Sequence, residues 1–136
     1  MKIIALAAMM MLSAAGARAE DTPLYPVTDC GKFTTQMDLN KCAVDNLKSA
    51  DKALNSTYQA LNAKQDSATS KQRLKAAQRA WIAFRDRECA FEVGPQEGGG
   101  TIWPMENAGC LEGITATRIR KLKQAISCTP LSCPAH

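Results

Sequence analysis

The sequence predicts an all-α fold: a long antiparallel helical hairpin plus a third helix, stapled by disulfides, with a glycine-rich loop between helices two and three. Three observations predict it. Apolar residues recur at three- and four-residue steps over long stretches. Helix-starting and helix-stopping residues bracket those stretches. All six cysteines follow an apolar leader, and an even count in an exported chain reads as a disulfide framework.

Residues 1–19 read as a signal peptide. Met1-Lys2 gives a positive start, and Ile3 to Leu12 is apolar but much shorter than the roughly 20 residues of a membrane span. Ala17-Arg18-Ala19 places small residues where a signal peptidase needs them, so cleavage is expected after Ala19 and a periplasmic or secreted location follows. Removing Lys2 and Arg18 leaves 15 basic against 13 acidic residues in a chain of 117. A net charge of +2 argues for no nucleic-acid partner, and the length suits one domain with a modest core.

Segment 20–34 carries Pro23, Pro26 and Gly31 and should be extended. The helical domain is expected over 35–127. Thr35 with Asp38 forms a capping-box variant, and Leu39, Ala43, Leu47, Ala50, Leu54, Tyr58 and Leu61 then make one stripe of about seven turns. Asp66-Ser67 marks a short connection, and Thr69 with Gln72 offers the second cap. Helix two shows Leu74, Ala77, Trp81, Phe84 and Phe91 on one stripe and stops at Gly94-Pro95. A short connection makes the two helices antiparallel neighbours, with Trp81 and Phe84 meeting Leu47, Leu54 and Tyr58. Residues 94–104 should be non-helical. The third helix is expected over 107–127, burying Leu111, Ile114, Leu122 and Ala125, followed by an irregular tail over 128–136.

Two pairings of the cysteines compete. The local one joins Cys30–Cys42, Cys89–Cys110 and Cys128–Cys133. The alternative joins Cys42–Cys89 and Cys30–Cys110, because a hairpin folded at residues 66–67 brings Cys42 within about 3 Å of helix rise of Cys89. The local pairing is preferred. No Cys-x-x-Cys pair occurs and the single histidine is His136, so no metal site and no cofactor are expected.

Arg79-Ala80-Trp81-Ile82-x-Phe84-Arg85-Asp86-x-x-Cys89 is the most distinctive block of the chain. With Thr35-Gln36-Met37-Asp38-Leu39-Asn40-x-Cys42, Leu54-Asn55-x-x-Tyr58, Gly98-Gly99-Gly100 and Cys110, it resembles the LprI-like lysozyme-inhibitor N-terminal domain of bacterial secreted proteins. The resemblance spans roughly residues 30–125. It implies a periplasmic or secreted protein with an inhibitory role toward lysozyme or another cell-wall hydrolase. Unlike the lipoprotein that gave the family its name, this chain has no lipidation cysteine at the leader junction. It adds Cys128 and Cys133, and it has Gly100 where serine is common.

No catalytic set is visible: the histidine is isolated, the cysteines are expected to be oxidised, and no P-loop occurs. The protein is therefore read as a binding protein and not an enzyme. Trp103, outside the helices in a tethered loop, either folds back to cap the helical core or serves as a contact residue, the best candidate for one, with Glu97, Gly98, Gly99, Gly100 and Glu106 around it. The alternative is a non-inhibitory interaction module that contacts anionic envelope polymer or a partner protein through a basic face of helix three, Arg118, Arg120, Lys121 and Lys123. Trp81, Phe84, Arg85, Asp86 and Tyr58 are read as structural. Arg85 should need a carboxylate or carbonyl partner. A long apolar stripe also makes a homodimer a possible assembly.

Overall fold

The computed structural model describes residues 23–128; the expected signal peptide, Cys133 and His136 lie outside the described residues. Three helices, α1 (Gln36–Ala63), α2 (Ala68–Val93) and α3 (Trp103–Ser127), make up most of the described chain, and no strand occurs among the described residues. The fold class is the expected one.

Each helix begins where local chemistry dictates. Thr35 Oγ1 accepts from the Asp38 N–H at 3.2 Å, and Thr35 in turn donates to the Asp38 carboxylate at 2.6 Å. This capping box satisfies a backbone donor that the first turn leaves orphaned. The second cap lies two residues before the expected Thr69. Ser67 Oγ accepts from the Ser70 N–H at 3.0 Å, so α2 starts at Ala68. Gly94 ends α2 with φ of 76°, a left-handed conformation that suits glycine.

The third helix starts four residues earlier than the sequence suggested. Pro104 occupies its first turn, where a missing N–H costs nothing and a fixed φ helps. Trp103 therefore stands on the first turn of α3 and not in an open loop.

Cross-links fix the directions. Asn40 Nδ2 donates to the Thr101 carbonyl at one end, and Lys64 Nζ to the Ile126 carbonyl at the other, so α1 and α3 run parallel. Arg85 to Thr115 and Arg118 to Gln78 set α2 antiparallel to α3. The expected antiparallel course of α1 and α2 holds, but they are not the closest pair. Instead, α3 packs along α1 and also receives α2. The core is Tyr25, Ala50, Leu54, Leu61, Ile119 and Leu122, with Tyr58, Leu74 and Trp81 packed against it.

Four expected core positions are corrected by this packing, Ala77 among them, which is exposed. Phe84 and Phe91 are 52% and 84% exposed, because α2 turns its other side to α3. Ala125 is exposed, while Ile119, embedded in a run of basic residues, is fully buried. Burial of that one side chain contributes roughly 2–3 kcal/mol.

Among the described residues two disulfides fasten the assembly, Cys30–Cys42 and Cys89–Cys110, both from the local pairing; Cys42–Cys89 and Cys30–Cys110 do not form, and the expected Cys128–Cys133 reaches outside the described residues. Cys30–Cys42 lays the N-terminal segment on α1. Asn46 completes the attachment by accepting from the Thr28 N–H at 2.8 Å and donating to the Thr28 carbonyl at 2.9 Å. Tyr25 is thereby buried, with its hydroxyl donating to Glu112 of α3.

The three helices meet at Arg85. Its guanidinium donates to Asp51 of α1 at 2.9 Å and to Thr115 of α3 at 3.1 Å, and its Nε bonds Asp86 at 3.0 Å. The same group lies 5.4 Å from the Trp81 ring centroid, and Arg118 lies 5.6 Å from it on a second cation–π contact. Arg85→Ala is expected to cost about 2 kcal/mol in urea unfolding, below the range for a fully buried pair because Asp51 is 44% exposed. Asp51→Ala is expected to cost less, since Thr115 and Asp86 still serve the guanidinium.

Burial and the Glu112 carboxylate push the Tyr25 phenol up to about 12. A raised phenol favours the neutral side chain in the fold, so its contribution is intact below the ordinary tyrosine value near 10 and is lost as pH rises through about 12. The stability difference between the wild type and Tyr25→Phe is expected to shrink across that window, measured by chemical denaturation at pH 8 to 12.

Candidate functional site

The surface that stands out joins the end of α2, the connection 94–102 and the first turns of α3. The connection is short, glycine-rich and ordered as two 3-10 turns, Gln96–Gly98 and Gly100–Ile102. Three restraints hold it. Cys89–Cys110 ties the two helices behind it. The Trp103 indole N–H donates to the Gly94 carbonyl at 3.0 Å, pinning the start of the loop to its end. Asn40 reaches from α1 to the Thr101 carbonyl at 2.8 Å.

Two of the glycines have specific reasons. Gly100 adopts φ of 60°, which an L side chain rarely tolerates. Gly99 lies flat against the indole: a Cβ there would stand 2.3 Å from Trp103 Cδ1. Gly98 faces open space and has no such requirement. The triple glycine is thus a packing solution around one tryptophan.

Beside the loop is an open groove of about 520 Å³, lined by Asp86, Ala90, Pro95, Gln96, Trp103 and Asn107 among others. Of the contact residues proposed from sequence, Trp103 lines it. Glu97 and Glu106 are exposed, Glu97 on the first 3-10 turn and Glu106 on the first turn of α3. Gln96 and Asn107 were not singled out. Their exposure to a groove depends on α3 starting at Trp103, which no periodicity announces.

The basic residues of α3 do not form one face. At about 100° per residue, Arg118 and Lys121 fall on one side of the buried Thr115–Ile119–Leu122 line, and Arg120 and Lys123 on the other. Arg118 is also engaged, donating to Gln78 at 3.1 Å and lying over Trp81, and burial lowers its guanidinium below the usual range. Arg120, Lys121 and Lys123 remain exposed. Asp86, which lines the groove, is held by Arg85. Tyr58 and Trp81 pack on the core.

Among the described residues, no group of histidine, cysteine, aspartate and glutamate is arranged to hold a metal ion, and no helix is long and apolar enough to cross a membrane.

These features define a small disulfide-linked three-helix domain that presents a braced surface loop. The chain belongs to the lysozyme inhibitor LprI family, whose model matches residues 29–122. It is also 39% identical over 112 residues to an uncharacterized protein of Rhizobium meliloti (strain 1021), covering 73% of this chain and 79% of that protein. No solved structure matches it.

Gly99→Ala is expected to drive the indole off its seat. In a Trp81→Phe background, where Trp103 is the reporter, its fluorescence should shift to longer wavelength, and Gly98→Ala should leave the emission unchanged.

Proposed function

We propose that this protein is an exported inhibitor of lysozyme or a related cell-envelope hydrolase, acting by insertion of its braced loop into the enzyme's sugar cleft. The observation that carries the reading is the bracing of segment 94–102 by a disulfide, an indole hydrogen bond and an inter-helix amide. A loop already ordered before binding loses little conformational entropy on association, so more of its contact energy appears as affinity. Membership of a lysozyme inhibitor family supports the same direction.

Chemistry at the loop suits the role. Glu97 is an exposed acid on a rigid turn, and lysozymes are generally basic, so attraction is local and not due to net charge. Trp103 supports the loop from beneath and contributes one wall of the adjoining groove. In this reading Trp103 acts by positioning, and the exposed Glu97 with the glycine turn makes the contact. The protein performs no chemistry of its own and needs no cofactor. Residues 1–19 direct export and are removed after Ala19.

The test is the turbidity loss of a cell-wall suspension treated with lysozyme, with and without the oxidised protein. Dose-dependent protection is expected. Glu97→Lys should weaken it at least tenfold while leaving the helical circular dichroism intact, consistent with loss of a charged contact and its replacement by repulsion. No protection at a tenfold molar excess refutes inhibition of the lysozyme tested. Retention of the protein on the cell-wall material itself, lost on neutralising Arg120, Lys121 and Lys123, favours the polymer-binding alternative.

A further inference from the structure

α2 is only half used by the fold. Gln78, Arg85 and Cys89 face α3, whereas Ala77, Ala80, Phe84 and Phe91 lie on a side that no other element covers among the described residues. Ala77, Phe84 and Phe91 are seven residues apart, and so are Arg73, Ala80 and Arg87. The first column is apolar and, with Ala80 beside it, makes a narrow strip for one further helix, while Arg73 and Arg87 border it. An aromatic residue exposed at 84%, beside another at 52%, is an unusual feature for a surface with no partner.

The charges on α2 say what the partner is. Its first half carries Lys71, Arg73, Lys75 and Arg79 and no acid. Its second half carries Asp86, Glu88 and Glu92, and of the two arginines there Arg85 is committed to Asp51. This order is the reverse of what a helix dipole favours, with cations at the positive end and an acid in the last turn. A helix lying antiparallel to α2, and carrying the same charge order, answers both mismatches at once.

We propose that α2 pairs antiparallel with α2 of a second copy of this chain. Centred between Ala80 and Trp81, the pairing places Phe84 over the small Ala77 of the second copy, and by symmetry the reverse. Large residues then meet small ones across the seam, as close helix packing requires. The same register sets Arg73 beside Glu88 of the second copy, twice in the dimer, and brings the basic end of each helix to the acidic end of the other. Phe91 reaches the level of Ser70 and closes the edge of the seam. Arg87 stays at the polar rim with its stem along the apolar strip. The disulfides, the Arg85 cluster and the loop 94–102 take no part, so dimerisation stands or falls independently of inhibition.

The experiment is sedimentation velocity of the oxidised protein from about 1 to 500 μM, at low and moderate salt. A concentration-dependent monomer–dimer equilibrium is expected, weakened by salt. Phe84→Glu with Phe91→Glu should leave a monomer with unchanged helical circular dichroism, because both side chains are mostly exposed and neither belongs to the core. Arg73→Glu alone and Glu88→Arg alone should each weaken the dimer about tenfold, and the double reversal should restore it. Restoration is specific to this register and to a second copy as partner. A wild-type monomer throughout the range overturns the proposal. So does a dimer that persists in the Phe84→Glu, Phe91→Glu variant, or one that the charge reversals leave unmoved.

Discussion

The arrangement of the three helices depends on one guanidinium. Arg85 stands on α2, takes Asp51 from α1 and Thr115 from α3, and stacks on Trp81 of its own helix. Thr115 is fully buried, so its hydroxyl needs a partner within the protein; Arg85 supplies one. The geometry matters because α1 and α2 each lean on α3 more than on one another. Apolar burial holds α1 to α3, through Ala50, Leu54, Ile119 and Leu122. For α2 the buried positions include Gln78 and Cys89, a polar side chain and a disulfide, so directional bonds do for this helix what a broad apolar face does for the others. A lysine at position 85 has neither the planar fork nor the stacking surface to serve the same set of partners.

That constraint reaches the loop. With α2 and α3 held antiparallel by Arg85 and by Arg118–Gln78, Cys89 and Cys110 face each other, and the connection between the helices must turn within a few residues. Gly94 ends one helix, Pro104 permits the next to start early, and Trp103 fills the angle between them with its N–H on the Gly94 carbonyl. Gly99 is then forced by contact with that indole and Gly100 by its backbone angle. The loop is rigid because its supports are. Under the proposed loop insertion, this bracing counts for more than a large interface.

Helix identity was legible in the residues because period and caps agree. Thr35 with Asp38, the three- and four-residue stripe of α1, and the Gly94 stop each describe a local event that tertiary contacts leave in place. Neighbour relations were less legible. A stripe that reads as one buried face on α2 is divided, with Trp81 and Leu74 turned to the core and Phe84 and Phe91 left out, because a rotation of part of a turn decides which edge of a wide stripe is covered. Ile119 was hidden by its basic neighbours, although position alone puts it between Thr115 and Leu122 on the buried line. Tyr25 was missed for a different reason. Its burial comes from the chain being folded back by Cys30–Cys42 and Asn46, a non-local event with no periodic signal. At the candidate site, Trp103 was found by its company of glycines, but its place on a helix depended on Pro104 being read as a start and not a stop.

The exposed side of α2 bears on how the same domain can serve as a recognition unit. Apolar area left in water is a standing liability, since it offers the same attraction to any passing apolar surface. A stripe that fits its own copy in one register replaces that promiscuity with a defined contact, and its charges are arranged so that only the antiparallel orientation is free of like-charge conflict. The loop 94–102 lies beyond the end of α2, so an antiparallel pair of α2 helices carries the two loops to opposite ends of the assembly, about 40 Å of helix apart. In the proposed pair, each loop keeps its own access to a target and the two do not compete. Pairing of this kind adds the possibility of holding two targets on one surface, where the second engagement profits from the first.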